Sequence, residues 1–407
     1  MSPDVDVILR PGGRRSFREV LRAFLRLGVT SFGGPIAHLA YFRVEFVERR
    51  KWLDEAAYAD TIVLCQFLPG PASSQAGIIL GMIRAGLPGG FAAWVGFTMP
   101  SALALAAFAN GVGQLGDIER AAWLHGLKIA AAAAVAQAIW RMGQNFCRGR
   151  ERATIAVAAM LLTLALPSAA GQIGAIVAGG VTGWRLLPAA NNAANVRLAI
   201  PVGRKSAVAS LALFAALLIG LPLLATATSS HTIALISSFY RSGALVFGGG
   251  HVVLPLLQQA VVPQGWISND AFLAGYGAAE AVPGPLFTFA AYLGTAMNLP
   301  PNGIVGGLIC LAAIYLPSFL LVTGALPFWN ALRQRAGVQS ALEGINAAVT
   351  GILLGALYTP IWTNAILRPP DFGLAAVAFL LLEFWRAPPW LVVLLAAAGA
   401  SLLAAAA

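Results

Sequence analysis

The sequence predicts an all-α polytopic membrane protein made of two homologous halves, set as an inverted-topology repeat with broken or re-entrant helices. Three observations predict it. Apolar runs of near-bilayer length recur along the chain, two long stretches repeat the same residues in the same order, and one apolar run between them has no counterpart.

Of the 407 residues, 58% are hydrophobic and 10% charged, and mean hydropathy is +0.77. A soluble domain would carry about 25% charged residues. Runs such as 153–167, 207–226 and 388–407 approach the ~20 residues a helix needs to cross a bilayer. Lipid offers no hydrogen bonds, so spanning segments are helices or closed barrels. These runs do not alternate with period two, which excludes a barrel.

The formal charge of +10 sits in short loops between apolar runs. It reads as cytoplasmic anchoring, not as a nucleic-acid surface. Cys65, Cys147 and Cys310 are far apart and form neither a metal-binding spacing nor a disulfide framework. There is no P-loop, no dinucleotide glycine pattern and no Ser-His-Asp arrangement, so neither an enzyme nor a cofactor or metal is expected. Residues 1–16 lack the apolar core of a signal peptide and read as a cytoplasmic tail.

The duplication aligns Phe24, Arg26, Gly28, Phe32, Gly33 and Gly34 with Phe239, Arg241, Gly243, Phe247, Gly248 and Gly249. Lys51-Trp52-Leu53-Asp54 then meets Gly265-Trp266-Ile267-Ser268, Gln66 meets Glu280, and Pro69-Gly70-Pro71 meets Pro283-Gly284-Pro285. Pro100-Ser101 meets Pro317-Ser318, and His125-Gly126 meets Glu343-Gly344, the offset drifting only from about 214 to about 218. The halves are 17–188 and 232–407. Residues 189–231 hold a polar linker and the unpaired run 207–226, which reverses the second half if each half crosses an even number of times.

Loop charges support that orientation. With Arg14, Arg15 and Arg18 inside, helices at 90–112 and 121–141, a hairpin at 153–187 and the run 207–226 place Arg148, Arg150, Arg152, Arg185, Arg204 and Lys205 inside. Arg333, Arg335 and Arg386 also fall inside, leaving Arg368 outside. Segments 20–48 and 55–85 either span or re-enter, since each is broken, at Ser31–Pro35 and Pro69–Pro71. The total is about 13 membrane segments, of which roughly 9 to 13 cross.

The breaks are the candidate site. Proline and glycine end one half-helix and begin another, and non-helical backbone at membrane depth survives only inside protein or beside a water-filled cavity. A half-helix N-terminus presents free N–H groups and positive partial charge to an anion. Ser31, Phe32, Gly33 and Gly34, with Phe247, Gly248 and Gly249, form one pair of breaks. Pro69, Gly70 and Pro71, with Pro283, Gly284 and Pro285, form the other, followed by the donors Ser73 and Gln75. Membrane glycines also serve plain close packing. Arg26 and Arg241 either pair with an anion or snorkel to the interface. Gln66 and Glu280 are mates, and a lone buried carboxylate suits proton coupling or a structural hydrogen bond. His38 and His251 follow the first breaks and serve either coupling or packing. His125, Lys128, Glu343 and Asn346 either hold the halves together or line the path.

Phe24–Gly34, Lys51–Asp54, Gln66–Pro71, Gln75-Ala76-Gly77 and their second-half counterparts resemble the chromate ion transporter family, in its long two-domain form. The resemblance covers nearly all of the chain after residue 17. It implies export of chromate across the bacterial inner membrane, giving chromate resistance, with sulfate as competitor and the FGG and PGP residues functional. Drive would come from the membrane potential, a proton gradient or both. A transporter of sulfate or another small anion is the alternative, a non-transporting scaffold the other. Expected partners are the anion, the lipid bilayer and a second copy of the chain in a homodimer.

Overall fold

The structure is a computed structural model that describes residues 14–114, 121–188, 202–332 and 335–406. The expected tail up to residue 13, most of the outer loop at 113–119, the linker at 189–201 and Arg333 lie outside the described residues. All regular structure among the described residues is helical.

In the first half α1 (Arg14–Thr30) is followed by α2 (Gly34–Phe42) with a π-helical extension Arg43–Arg49, α3 (Glu55–Phe67) and α4 (Ala72–Gln114). Val20, Phe24 and Leu27 line the buried stripe of α1, at the i, i+4, i+7 spacing of an amphipathic helix. Glu19 on α1 accepts hydrogen bonds from Arg84 at 2.8 and 3.2 Å and lies 3.7 Å from Arg50. The start of α1 and the end of the π extension therefore sit together, and the segment doubles back on itself. The next segment does the same. Arg43 donates to Glu55 at the start of α3 (2.7 Å). α4 breaks at Ala85 (φ −143) and Gly86 (φ 64), beside the Arg84–Glu19 pair. Beyond that break α4 folds back so closely that a Cβ on Gly81 would run into the Gly89 carbonyl.

After α4 come α5 (Ala122–Phe146), α6 (Arg150–Ala165) and α7 (Ala169–Leu186), then α8 (Arg204–Thr228). α5 runs five residues beyond the expected end at 141. α6 has 16 residues and spans roughly 24 Å at 1.5 Å per residue, so the run read as a span is shorter than the ~30 Å hydrocarbon core. α18 (Pro389–Ala405), with 17 residues, is similarly short. A local thinning of the bilayer accommodates such mismatch at modest cost.

The second half repeats the plan. α9 (His231–Ala244) leads to a 3-10 turn Gly250–Val252 and α10 (Val253–Val261), then α11 (Asn269–Ala281), a 3-10 turn Leu286–Thr288, α12 (Phe289–Ala296) and α13 (Gly303–Ala325). The His231 ring meets Trp266 edge-on at 4.8 Å, and Asn298 N–H donates to Trp266 O at 2.9 Å. The ends of both second-half hairpins away from the breaks gather there. α13 runs on to α14 (Trp329–Leu332), whose Trp329 Nε1 donates to Asp60 on α3 at 3.2 Å. α15 (Ala336–Ala356), a π turn with α16 (Thr363–Ala365), α17 (Pro369–Glu383) and α18 complete the chain.

Local chemistry explains the departures between the copies. Asp54 caps α3 by accepting from Ala57 N–H (2.7 Å), and its mate Ser268 caps α11 by accepting from Ala271 N–H (3.2 Å). Lys51 (φ 52) and Gly265 (φ 69) both adopt left-handed backbone. Different residues thus make the same turn and cap.

The halves interlock. α5 packs on α17 and α18, and α15 packs on α6 and α7. His125 lies 3.2 Å from Asp371, Lys128 3.0 Å from Asp270, Arg141 2.8 Å from Glu383 and Arg152 2.5 Å from Glu343. His125, Lys128 and Glu343 therefore hold the halves together, while Asn346 turns inward. At the centre Gly70 N–H donates to Val246 O (2.7 Å) and Gly284 N–H to Ser31 O (2.9 Å). Gly70 is the mate of Gly284 and Ser31 the mate of Val246, so the exchange is reciprocal, as a two-fold relation requires. A Cβ on Gly250 would lie 3.6 Å from its own mate, Pro35. The pseudo-two-fold axis passes between them.

Gly70 (φ 122) cannot accept a side chain: a Cβ there would lie 2.6 Å from Gln75 Nε2 and 2.8 Å from Ser318 Oγ. Left-handed strain costs about 1–3 kcal/mol, and overpacking adds a similar amount. Gly70→Ala is expected to lower the thermal unfolding midpoint of detergent-solubilised protein by at least about 5 °C. Gly111→Ala, whose Cβ meets nothing within 4 Å, should leave it unchanged. Equal midpoints for the two variants would contradict the central packing.

Candidate functional site

Three of the four breaks line a cavity of about 500 Å³, and the fourth, at Pro283–Pro285, is tied to the first through the Gly284–Ser31 bond. The cavity floor is backbone: Gly33, Gly34, Pro35 and Gly70 from the first half, Gly248, Gly249 and Gly250 from the second. Gly33 (φ 100), Gly34 (φ 77) and Gly248 (φ 75) hold left-handed conformations that residues with a Cβ rarely adopt. The glycine pair of each half is thus required by the turn itself. α2 starts at Gly34 with Pro35 in its first turn and no side-chain cap. Pro35 has no N–H to lose, and the free donors of Gly34 and Ile36 belong to cavity-lining residues.

The polar wall comes from four helices. Gln137, Arg141 and Asn145 on α5 are spaced by four and share one face. Asn346 on α15 faces them, and its buried Oδ1 makes no hydrogen bond among the described residues. Gln66 on α3 and Glu280 on α11 also line the cavity, as does His251. His251 Nδ1 is 2.8 Å from the hydroxyl of buried Tyr276 and 3.3 Å from Glu280 Oε1. The corresponding first-half residues are Ile36, Ile62 and Gln66, so the ionisable cluster exists once.

Of the residues singled out by sequence, Gly33, Gly34, Gly70, Gly248, Gly249, Gln66, Glu280 and His251 line this cavity. Others frame it. Ser31 and Gly284 make the cross-half bond, and Gln75 Nε2 donates to Pro69 O at 2.7 Å, bracing the break. Ser73 Oγ lies 3.4 Å from His38 Nδ1, and His38 is buried edge-on against Phe97. His38 therefore packs and does not reach the cavity. Phe32, Pro71, Pro283 and Pro285 shape the turns without lining it, and Phe247 packs against the second-half core.

The two arginines proposed as anion ligands are elsewhere. Arg26 is exposed, on the face of α1 opposite the Phe24–Leu27–Gly28 stripe that packs on α4. Arg241 is half-buried beside Gln172 of α7 in a separate pocket of about 10 Å³. Helix phase, not depth in the sequence, decides both. The cation that does line the cavity, Arg141, was read as the end of a helix. Its signal was the four-residue spacing with Gln137 and Asn145 in an alanine-rich helix.

Five helical stretches are long and apolar enough to cross a membrane: Ala72–Gly111, Ala122–Phe146, Arg204–Thr228, Gly303–Phe328 and Gly337–Ala365. The family model described as "Chromate transporter" matches residues 18–184 and again 233–401. The chain is 26% identical over 408 residues to a "Probable chromate transport protein" of Synechococcus elongatus, covering 97% of this chain and 98% of that one. It is 26% identical to a "Chromate transport protein" of Pseudomonas aeruginosa, over 94% of this chain and 91% of that one. The same identity holds for a "Chromate transport protein" of Cupriavidus metallidurans, over 95% and 92%. No solved structure matches. With both halves matched and the relatives covered almost end to end, this multi-pass membrane protein is a transporter, not an enzyme, and belongs to the chromate transporter family.

Proposed function

We propose that the protein exports chromate across the bacterial inner membrane, by alternating access to the cavity between the helix breaks. The observation that carries the reading is the placing of that cavity on the pseudo-two-fold axis, walled by both halves. Uncapped half-helix N-termini and one arginine suit a small oxyanion. Sulfate has the same shape and charge as chromate, and nothing in the lining separates the two by size, so sulfate is the expected competitor and its transport the second reading.

The topology proposed is an inverted repeat. The four broken segments re-enter, two from each side, and α8 carries the chain across between the halves. Among the described residues nine segments then cross, counting α4 after its break and the short α6, α17 and α18. The N-terminus is cytoplasmic, which keeps Arg49, Arg50 and Lys51 inside with Arg18. An inside-negative potential drives a dianion outward, by about 4.6 kcal/mol per 100 mV for two charges.

In everted vesicles, chromate should accumulate with the potential and excess sulfate should reduce it. Absence of potential-dependent chromate accumulation would sink the export reading. Topology is read separately by cysteine labelling. A thiol at Glu48→Cys should react with an impermeant reagent only from the cytoplasmic side, and one at Gln264→Cys only from the opposite side. Labelling of both from one side contradicts the inverted arrangement.

Proton coupling at Glu280 has a definite sign. A proton on Glu280 or His251 makes the cavity more positive, so a dianion binds better at low pH and its KM rises with pH. Sulfate keeps its charge near neutrality and is the cleaner probe. Glu280→Gln should flatten a rise of about tenfold, the equivalent of roughly 1.4 kcal/mol. An unchanged pH profile in that variant would remove Glu280 from coupling.

A further inference from the structure

We infer that Arg141 is the substrate-binding cation of the cavity, and that Glu383, reaching across from the other half, occupies it as a stand-in for the anion. The inference rests on the oxyanion reading and deepens it. Arg141 Nε donates to Glu383 Oε2 at 2.8 Å, and Gln137 Nε2 donates to the same oxygen at 3.1 Å. Arg141 lines the cavity and Glu383 does not. The Arg141 side chain is 40% exposed and that of Glu383 15%. The guanidinium therefore has one side on the latch and one toward the space where substrate enters.

A guanidinium carries five N–H donors in a planar fork, and the bond to Glu383 is made through Nε. A carboxylate and a tetrahedral oxyanion offer the same paired acceptors to that fork. In the resting protein the pair leaves no uncompensated charge in a low-dielectric site. When a dianion arrives, Arg141 changes partner and Glu383 retains the Gln137 donor. The other charged groups near this wall are committed or one-sided. Lys128 is held by Asp270 and His125 by Asp371. Glu280 and His251 form the cluster on the opposing wall. The repeat supplies no second copy, because the residues aligned with Arg141 and Glu383 are Thr359 and Ala165.

The exchange also has a mechanical consequence. Arg141 is on α5 of the first half and Glu383 on α17 of the second. Substrate that takes Arg141 releases one tie between halves, so occupancy of the cavity and freedom of the halves to move are coupled through one side chain.

The test is tracer sulfate and chromate binding by the purified full-length protein, with transport KM from reconstituted vesicles. Glu383→Gln should lower KM about tenfold, because Arg141 loses its competitor. Arg141→Gln should raise KM at least tenfold. The pair variant Arg141→Gln/Glu383→Gln should match Arg141→Gln, since without the cation the latch no longer matters. It also decides the matter if Arg141→Gln alone does not fold. A purely structural latch predicts the opposite pattern, with both single variants weakening transport alike, and that result overturns the inference. So does wild-type KM in Arg141→Gln or in the pair variant. If the wild-type protein binds neither anion, the oxyanion reading falls and takes the inference with it. If wild type binds and the variants bind equally, only the inference falls.

Discussion

Two backbone hydrogen bonds hold the centre of the molecule, from Gly70 N–H to Val246 O and from Gly284 N–H to Ser31 O. Each joins the second break of one half to the first break of the other. Chain that leaves helical geometry inside a bilayer must find its partners in protein, because lipid offers none. Here each half supplies what the other lacks. Neither half can bury its own broken tips, which is why the outer helices also swap, α5 onto α17 and α18, α15 onto α6 and α7. The cavity is a by-product of the same constraint. Tips that bond to each other at their flanks leave glycine backbone facing inward between them.

The scaffold is symmetric where geometry is at stake and asymmetric where charge is. Asp54 and Ser268 cap equivalent helices, Lys51 and Gly265 make equivalent turns, and Ser101 and Ser318 crowd equivalent glycines. The ionisable residues break the pattern. His251, Tyr276 and Glu280 face Ile36, Ile62 and Gln66 across the alignment, and Arg141 and Glu383 face Thr359 and Ala165. A duplicated fold can keep its two-fold packing while only one copy carries titrating groups, since packing needs shape from both halves and a proton or anion needs only one site.

This division explains what the sequence made legible. The paired breaks were visible because proline and glycine carry their geometric meaning locally, and the order of pairs survives duplication. Whether 20–48 and 55–85 span or double back was not visible. That depends on Glu19 meeting both Arg50 and Arg84, contacts distant in sequence. Arg26 and Arg241 looked like ligands because they were symmetric, yet helix phase turns one outward and the other toward α7. Arg141 was missed for the converse reason. It has no mate, and its partner Glu383 lies far along the chain.

The charge inventory of the cavity constrains how any dianion could move through it. Among the described residues its lining holds one permanent cation, Arg141, one carboxylate, Glu280, and one histidine, His251. Arg141 is already matched by Glu383, so an ionised Glu280 leaves the site net negative toward an incoming dianion. Protonating Glu280 or His251 changes the sum in the favourable direction. Proton and dianion therefore favour each other's binding, and linkage makes that preference reciprocal. Such a site would carry fewer net charges per anion when protonated, weakening the drive from the membrane potential while improving occupancy. Gln66, the first-half counterpart of Glu280, offers hydrogen bonds without that trade. In the export proposed above, a carboxylate at one mate and an amide at the other would set the balance between binding the anion and driving it outward.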